Sequence, residues 1–147
     1  MSMSMHGEVV LNERKDLVWE LLRQPEVLKA CIPGCEAVEQ TSDSAYSAAV
    51  RVKLGPVSAK FRGNVNLSSG DISDEYVISG KGDGGIVGMA SGNAKVNLSE
   101  CAEGTLLVYK VEAQISGKMM QMGSRLIDSV MRKMADEFFT NFARKLA

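Results

Sequence analysis

The feature that most restricts how this chain can fold is a run of alternating segments through its middle. In five stretches between residues 44 and 115, apolar and polar side chains alternate, and turn residues separate one stretch from the next. Successive side chains of a β-strand point to opposite faces of a sheet, so this period predicts strands with one buried face. Their hairpin spacing predicts an antiparallel meander. The five stretches are 44–54, 57–67, 74–82, 92–100 and 104–115.

Helical spacing of apolar residues flanks this meander on both sides. A strand is predicted at 4–11, then a helix within 12–24 with Asn12 as its N-cap, and a short helical turn opened by Pro25. At the other end, Ser116 can cap a helix that runs from Gly117 to the C-terminus. An apolar stripe follows that helix at three- and four-residue steps. It consists of Met119, Met122, Leu126, Val130, Met134 and Phe138.

This order of elements predicts one α+β domain over residues 1–147, in which a curved antiparallel sheet packs its concave face on the last helix. The 17 basic and 18 acidic residues give a net charge of -1, which argues against a nucleic-acid partner. Neither a membrane-spanning apolar run nor a signal peptide is recognisable, so a cytoplasmic location is expected.

Two cysteine and glycine patterns suggest chemistry, but both are better explained as turns. Cys31 and Cys35, with Cys101 and His6, supply four potential zinc ligands, yet the paired C-x-x-C spacing of zinc sites is absent. The segment 80–85 matches G-x-G-x-x-G, but the residues after it continue as strand rather than helix, which favours a hairpin. With no paired acid and base recognisable either, we expect neither a catalytic residue nor a metal.

Gly123 is the clearest hint of a binding site. On the predicted helix it lies on the same face as Met119, Leu126 and Val130, where a glycine costs about 1 kcal/mol relative to alanine and leaves volume empty. A curved, glycine-rich sheet facing this helix would enclose an apolar cavity, the usual form of a small-molecule site.

Four segments of the chain resemble the CoxG family of carbon monoxide dehydrogenase, within the START-like helix-grip (SRPBCC) superfamily. They span 18–36, 54–65, 80–98 and 117–142 and include the strings "CIPGCE", "LGPV" and "GSRLID". The resemblance implies a START-like helix-grip fold: a curved seven-stranded antiparallel sheet around the C-terminal helix, with two short helices after the first strand. It also implies that "CIPGCE" is the turn into the second strand.

The resemblance further implies a non-catalytic accessory role beside a molybdenum hydroxylase of the carbon monoxide dehydrogenase type. Members are implicated in recruiting that enzyme to the membrane or in carrying its quinone electron acceptor. Some have a further C-terminal tail, whereas this sequence ends directly after the helix, so anchoring by that route is not expected. The leading hypothesis is a binder of a hydrophobic molecule such as a quinone; the alternatives are a docking or maturation partner without a ligand and a cyclase-type enzyme.

Two sets of residues are predicted to carry this function. Tyr109 could donate its hydroxyl to a quinone carbonyl. The predicted ligand-binding residues are Met89, Tyr109, Met119, Met122, Gly123, Leu126, Val130 and Phe138. The predicted partner-binding residues, spaced by seven on the opposite side of the helix, are Lys118, Arg125 and Arg132.

Overall fold

The structure, a computed structural model, describes residues 1–69 and 74–146. The chain forms a sheet, two short helices after its first strand, and one long helix at its end. Two short 3-10 helices lie at Gly85–Val87 and Lys118–Met122. The other elements are β1 (Ser2–Leu11), α1 (Lys15–Leu22), α2 (Pro25–Cys31), β2 (Cys35–Ser42), β3 (Ala45–Leu54), β4 (Val57–Ser69), β5 (Glu75–Asp83), β6 (Met89–Cys101), β7 (Gly104–Ser116) and α3 (Ser124–Leu146).

All seven strands join one antiparallel sheet in the order β1-β7-β6-β5-β4-β3-β2. Strands β2 to β7 form the predicted meander, and β1 closes the sheet by pairing with β7. The predicted α+β helix-grip fold is therefore confirmed. Only β2 lacks an alternating pattern, because it is an edge strand whose side chains are mostly exposed on both faces.

The predicted start of the last helix was wrong, and the backbone explains why. Gly117 and Gly123 have φ angles of +87° and +95°, whereas an α-helix needs φ near −63°. Residues Lys118–Met122 between them form a separate 3-10 helix, and α3 begins at Ser124 rather than being capped by Ser116. The predicted cap at Asn12 was also wrong, since Arg14 is the N-cap residue of α1.

Buried apolar side chains of the described residues form two clusters, and α3 contributes to both. The first cluster lies under α1 and α2 and contains Phe142 of α3 together with Leu107 of the sheet. The second lies under the 3-10 helices and contains Met119 and Ile127. None of the described helices has the length and hydropathy needed to cross a membrane.

Candidate ligand-binding site

The middle of α3 lies between these two clusters. Met131 packs against the second cluster and Phe138 against the first. Met134, between them in sequence, belongs to neither cluster within the described chain; instead it is half-buried and lines a cavity. The helix therefore bridges two packed regions across a gap.

Glycines make the floor of the sheet shallow near this gap. Tyr76 and Ile78 of β5 pack into the first cluster, so by alternation Gly80 and Gly82 point to the same concave face. A Cβ atom on Gly80 would have its nearest neighbour at 3.5 Å, and one on Gly82 at 3.7 Å. Both positions thus have room for a side chain, and its absence leaves space beneath the helix.

A cavity of about 350 Å³ opens on the β3 side of α3. Its volume lies at the lower end of the range of roughly 300–1,000 Å³ found for small-molecule sites. Val52 of β3 and Val130 and Met134 of α3 supply apolar side chains. Its lining is completed by Pro33, Gly34, Arg51, Lys53, Ser58, Lys133 and Glu137.

The turn within "CIPGCE" forms one wall of this cavity. Gly34 has φ +74°, and its carbonyl accepts a hydrogen bond of 2.9 Å from the N–H of Arg51. A side chain at Gly34 would collide with the Arg51 carbonyl, so only glycine allows the turn to approach β3 this closely. The implied role of this segment as a turn between α2 and β2 agrees with the structure.

Beyond that turn, the edge of β3 is open. Pairing between β2 and β3 ends at Cys35 and Val50. In an antiparallel ladder, the N–H groups of alternate residues point to the same side. The N–H of Arg51 points towards the edge, to Gly34, so the N–H of Lys53 points towards the same edge, where no described strand pairs with it. The cavity therefore has a backbone donor at its rim.

Ion pairs organise most of the charge around this rim. Glu36 lies 2.9 Å from Lys60 Nζ and 3.4 Å from Arg51 Nε, and these two cations, Lys60 foremost, lower the pKa of the Glu36 carboxyl. Lys133 and Glu137 are 3.9 Å apart on α3. Among the described residues, Lys53 has no ion-pair partner.

A second cavity, of about 570 Å³, lies on the opposite side of α3, against β1 and β7. Tyr109 lines it and stacks on Phe139 with ring centroids 4.9 Å apart. Burial, and then the Asp136 carboxylate, raises the pKa of the Tyr109 phenol, so the hydroxyl stays protonated and able to donate. A Cβ at Gly7 would lie 2.5 Å from that hydroxyl, which explains the glycine on β1.

The residues predicted to bind ligand are dispersed over the molecule. Val130 lines the 350 Å³ cavity and Tyr109 the 570 Å³ cavity, with α3 between them. Met119 is buried in the second cluster, Met122 packs on that cluster, and Phe138 packs on the first. Met89 is 42% exposed, and Leu126 lies beside the Gly55 turn.

Gly123 does not leave the space that its predicted helical position implied. It precedes α3 and has a φ angle of +95°. Glycine is needed there for the backbone to turn from the 3-10 helix into α3. The sequence reasoning also missed Val52, Lys53 and Gly34, because it searched for the site along the last helix; alternation in β3 could have identified Val52 as inward-facing.

The three residues predicted to bind a partner are all exposed, but they do not form one helical row. Lys118 belongs to the 3-10 helix, whereas Arg125 and Arg132 lie on α3. Arg132 is paired with Asp128 at 2.8 Å. Lys118 and Arg125 have no ion pair with any residue that the structure describes.

The cysteines end and begin elements. Cys31 is the last residue of α2, and its carbonyl accepts a hydrogen bond from Asn141 of α3 at 3.1 Å. Burial raises the pKa of the Cys31 and Cys35 thiols, which keeps them protonated. In 1–69 and 74–146, no three metal-binding side chains converge.

Comparisons with known proteins agree on family and fold. The family model for CoxG of carbon monoxide dehydrogenase matches residues 7–147. No curated protein matches significantly. A conserved protein from Geobacillus kaustophilus superposes with a TM-score of 0.87 at 21% identity, covering 98% of this chain and 95% of that one. At lower identity, two further structures share the fold.

One of these is an aromatase/cyclase from a Streptomyces species, with a TM-score of 0.71 and 16% identity over 99% of this chain and 94% of that one. The other is a START superfamily protein from Mycobacterium smegmatis, with a TM-score of 0.67 and 8% identity over 99% and 96% of the two chains. At these identities the likeness establishes the fold alone.

Proposed function

This chain belongs to the CoxG family of carbon monoxide dehydrogenase, and on that basis we propose that it is a non-catalytic accessory protein that binds a hydrophobic small molecule. The observation that carries the proposal is the cavity of about 350 Å³ between α3 and the β3 edge. Binding would derive mainly from burying apolar ligand surface, at about 25 cal/mol per Å².

The composition of the cavity supports a binder rather than a catalyst. Val52, Val130 and Met134 offer apolar contacts, and the charged residues stand at the rim. Lys133 and Glu137 are largely solvent-exposed. A general acid or base usually acquires a shifted pKa by burial inside a cleft, and exposed rim charges lack that environment. The aromatase/cyclase neighbour shares the fold, and its named activity is not carried over to this chain.

The family suggests a ligand and a partner for testing. A quinone is the first candidate ligand, and a molybdenum hydroxylase of the carbon monoxide dehydrogenase type is the candidate partner, served through membrane recruitment or delivery of the electron acceptor. Tyr109 can donate a hydrogen bond, but it faces the 570 Å³ cavity. A quinone in the 350 Å³ cavity would therefore take its hydrogen bonds from the β3 edge.

One observation favours a second candidate function, docking on the hydroxylase without a ligand. Ile86 is 81% exposed and Met120 is 42% exposed, on two 3-10 helices that contact each other. Lys118 and Arg125 are exposed in the elements at this end. Exposed apolar side chains of this size often mark contact surfaces. Such a surface would make the cavity incidental to function.

The experiment that tests the ligand-binding function is solvent extraction of gently purified protein followed by mass spectrometry. We expect an apolar molecule from the wild type and none from Met134→Trp, because the indole fills the cavity. Ser129→Trp, at an exposed position of the same helix, is the matched control and should keep the molecule. An empty wild type that also fails to bind added menadione and dodecanoic acid would contradict the proposal and favour docking.

A further inference from the structure

We propose that the natural ligand of the 350 Å³ cavity is an amphiphile with an acidic head group, held at the β3 edge by Lys53 and Arg51. The inference rests on the proposed function and narrows its ligand class. The apolar body would lie against Val130 and Met134, and the head would remain at the rim beside the exposed strand edge.

The first support is the charge of the strands beside the cavity. The sequence contains no aspartate or glutamate between Asp43 and Asp71. The same stretch carries four basic residues, of which Arg51 and Lys53 line the cavity. Lys133 approaches the cavity from α3. Because this local field is positive while the whole chain carries a net charge of -1, it favours an anionic group at this position.

The second support is the geometry of donors at the rim. The backbone N–H of Lys53 points to the open edge, and its ammonium group has no ion-pair partner among the described residues. Ser58, paired with Lys53 across the hairpin, adds a hydroxyl to the lining. A carboxylate or phosphate accepts several hydrogen bonds at once, and charge-assisted bonds are about twice as strong as neutral ones.

The acidic residues near the rim do not cancel this field. Glu36 is engaged by both Lys60 and Arg51, so it contributes one negative charge against two positive ones. Glu137 faces Lys133 at 3.9 Å. Glu137 is the residue that should repel an acidic head, and its neutralisation should therefore strengthen binding.

The test is isothermal titration of the full chain, stripped of lipid, with three twelve-carbon probes and a quinone. Dodecanoic acid and dodecyl phosphate carry anionic heads, methyl dodecanoate is the neutral match, and menadione represents a neutral quinone. We expect at least one acid to bind about tenfold tighter than the ester. The tighter of the two acids assigns the head as carboxylate or phosphate.

Variants then locate the head. Lys53→Met should weaken the acid about tenfold and leave the ester unchanged. Glu137→Gln should strengthen the acid. Lys110→Met, on an exposed position of β7 away from the cavity, is the matched control and should change neither affinity.

Three results would overturn the inference. Equal affinities for acid and ester, or a Lys53→Met variant that binds the acid normally, remove the acidic head but leave hydrophobic binding intact. Tight binding of menadione with weak binding of both acids would identify a neutral quinone instead. Failure of every probe would contradict the proposed function itself.

Discussion

At Gly123, a single residue decides where the last helix begins. Its φ angle of +95° and ψ angle of 146° are accessible to glycine and unfavourable for other residues. No atom lies within 4 Å of the position that a Cβ would occupy. The requirement for glycine is therefore one of backbone conformation and not of space.

This difference gives a test at one position. Gly123→Ala should lower the free energy of unfolding by about 1–3 kcal/mol through backbone strain alone. Gly80→Ala is the matched control, because Gly80 has an ordinary strand conformation and room for a Cβ. It should be neutral or stabilising by up to about 1 kcal/mol. Urea unfolding measures both, and equal effects would contradict the strain at Gly123.

Strands β2, β3 and β4 are joined beside the cavity by the ion pairs of Glu36. This carboxylate on β2 lies within 4 Å of Arg51 on β3 and Lys60 on β4. Its side chain is 41% exposed, and exposed ion pairs stabilise proteins only slightly. Their effect is expected to be visible mainly as a pH dependence.

The sign of that dependence follows from the pKa of Glu36. The cations lower it below its ordinary value of 4.5, so the stabilisation is fully present above pH 4.5 and is lost as the pH falls through the lower, folded pKa. The stability difference between wild type and Glu36→Gln should therefore shrink below pH 4.5. Glu39→Gln, on the same strand and without an ion pair among the described residues, should show no such change. Urea midpoints between neutral pH and pH 3 measure it, and a constant Glu36→Gln difference would contradict the assignment.

The molecule as a whole has two packed regions bridged by α3, with a cavity beside the gap. Phe142 is fully buried in the first cluster, whereas Met134 lines the cavity. The two residues lie on the same helix, eight positions apart. Equivalent truncations should therefore cost very different amounts of stability.

We expect Phe142→Ala to destabilise the protein by about 3–5 kcal/mol, because it removes a fully packed ring. Met134→Ala should cost roughly 1 kcal/mol or less, since its side chain already borders empty space. Both free energies come from denaturant unfolding of ligand-free protein. Similar losses for the two variants would mean that the gap is closed in solution.

The order of elements and the fold were predictable from the residues alone. Alternation predicted β3 to β7 with small errors at the ends, because each of these strands has one buried face and one exposed face. The edge strand β2 came only from the family resemblance, since both of its faces meet solvent and its side chains carry no period. Local backbone chemistry at Gly117 and Gly123 was invisible to a helical wheel, which assumes one continuous helix.

The position of the candidate site, by contrast, depends on tertiary contacts. The predicted lining residues shared a helical face, but α3 meets the sheet along its length, so Met119 and Phe138 became core rather than cavity. Val52, Lys53 and Gly34 are brought to Val130 by the end of β2 and the turn before it. A cavity arises where packing between distant segments fails, and a pattern within one element records what that element buries, not what faces it across the gap.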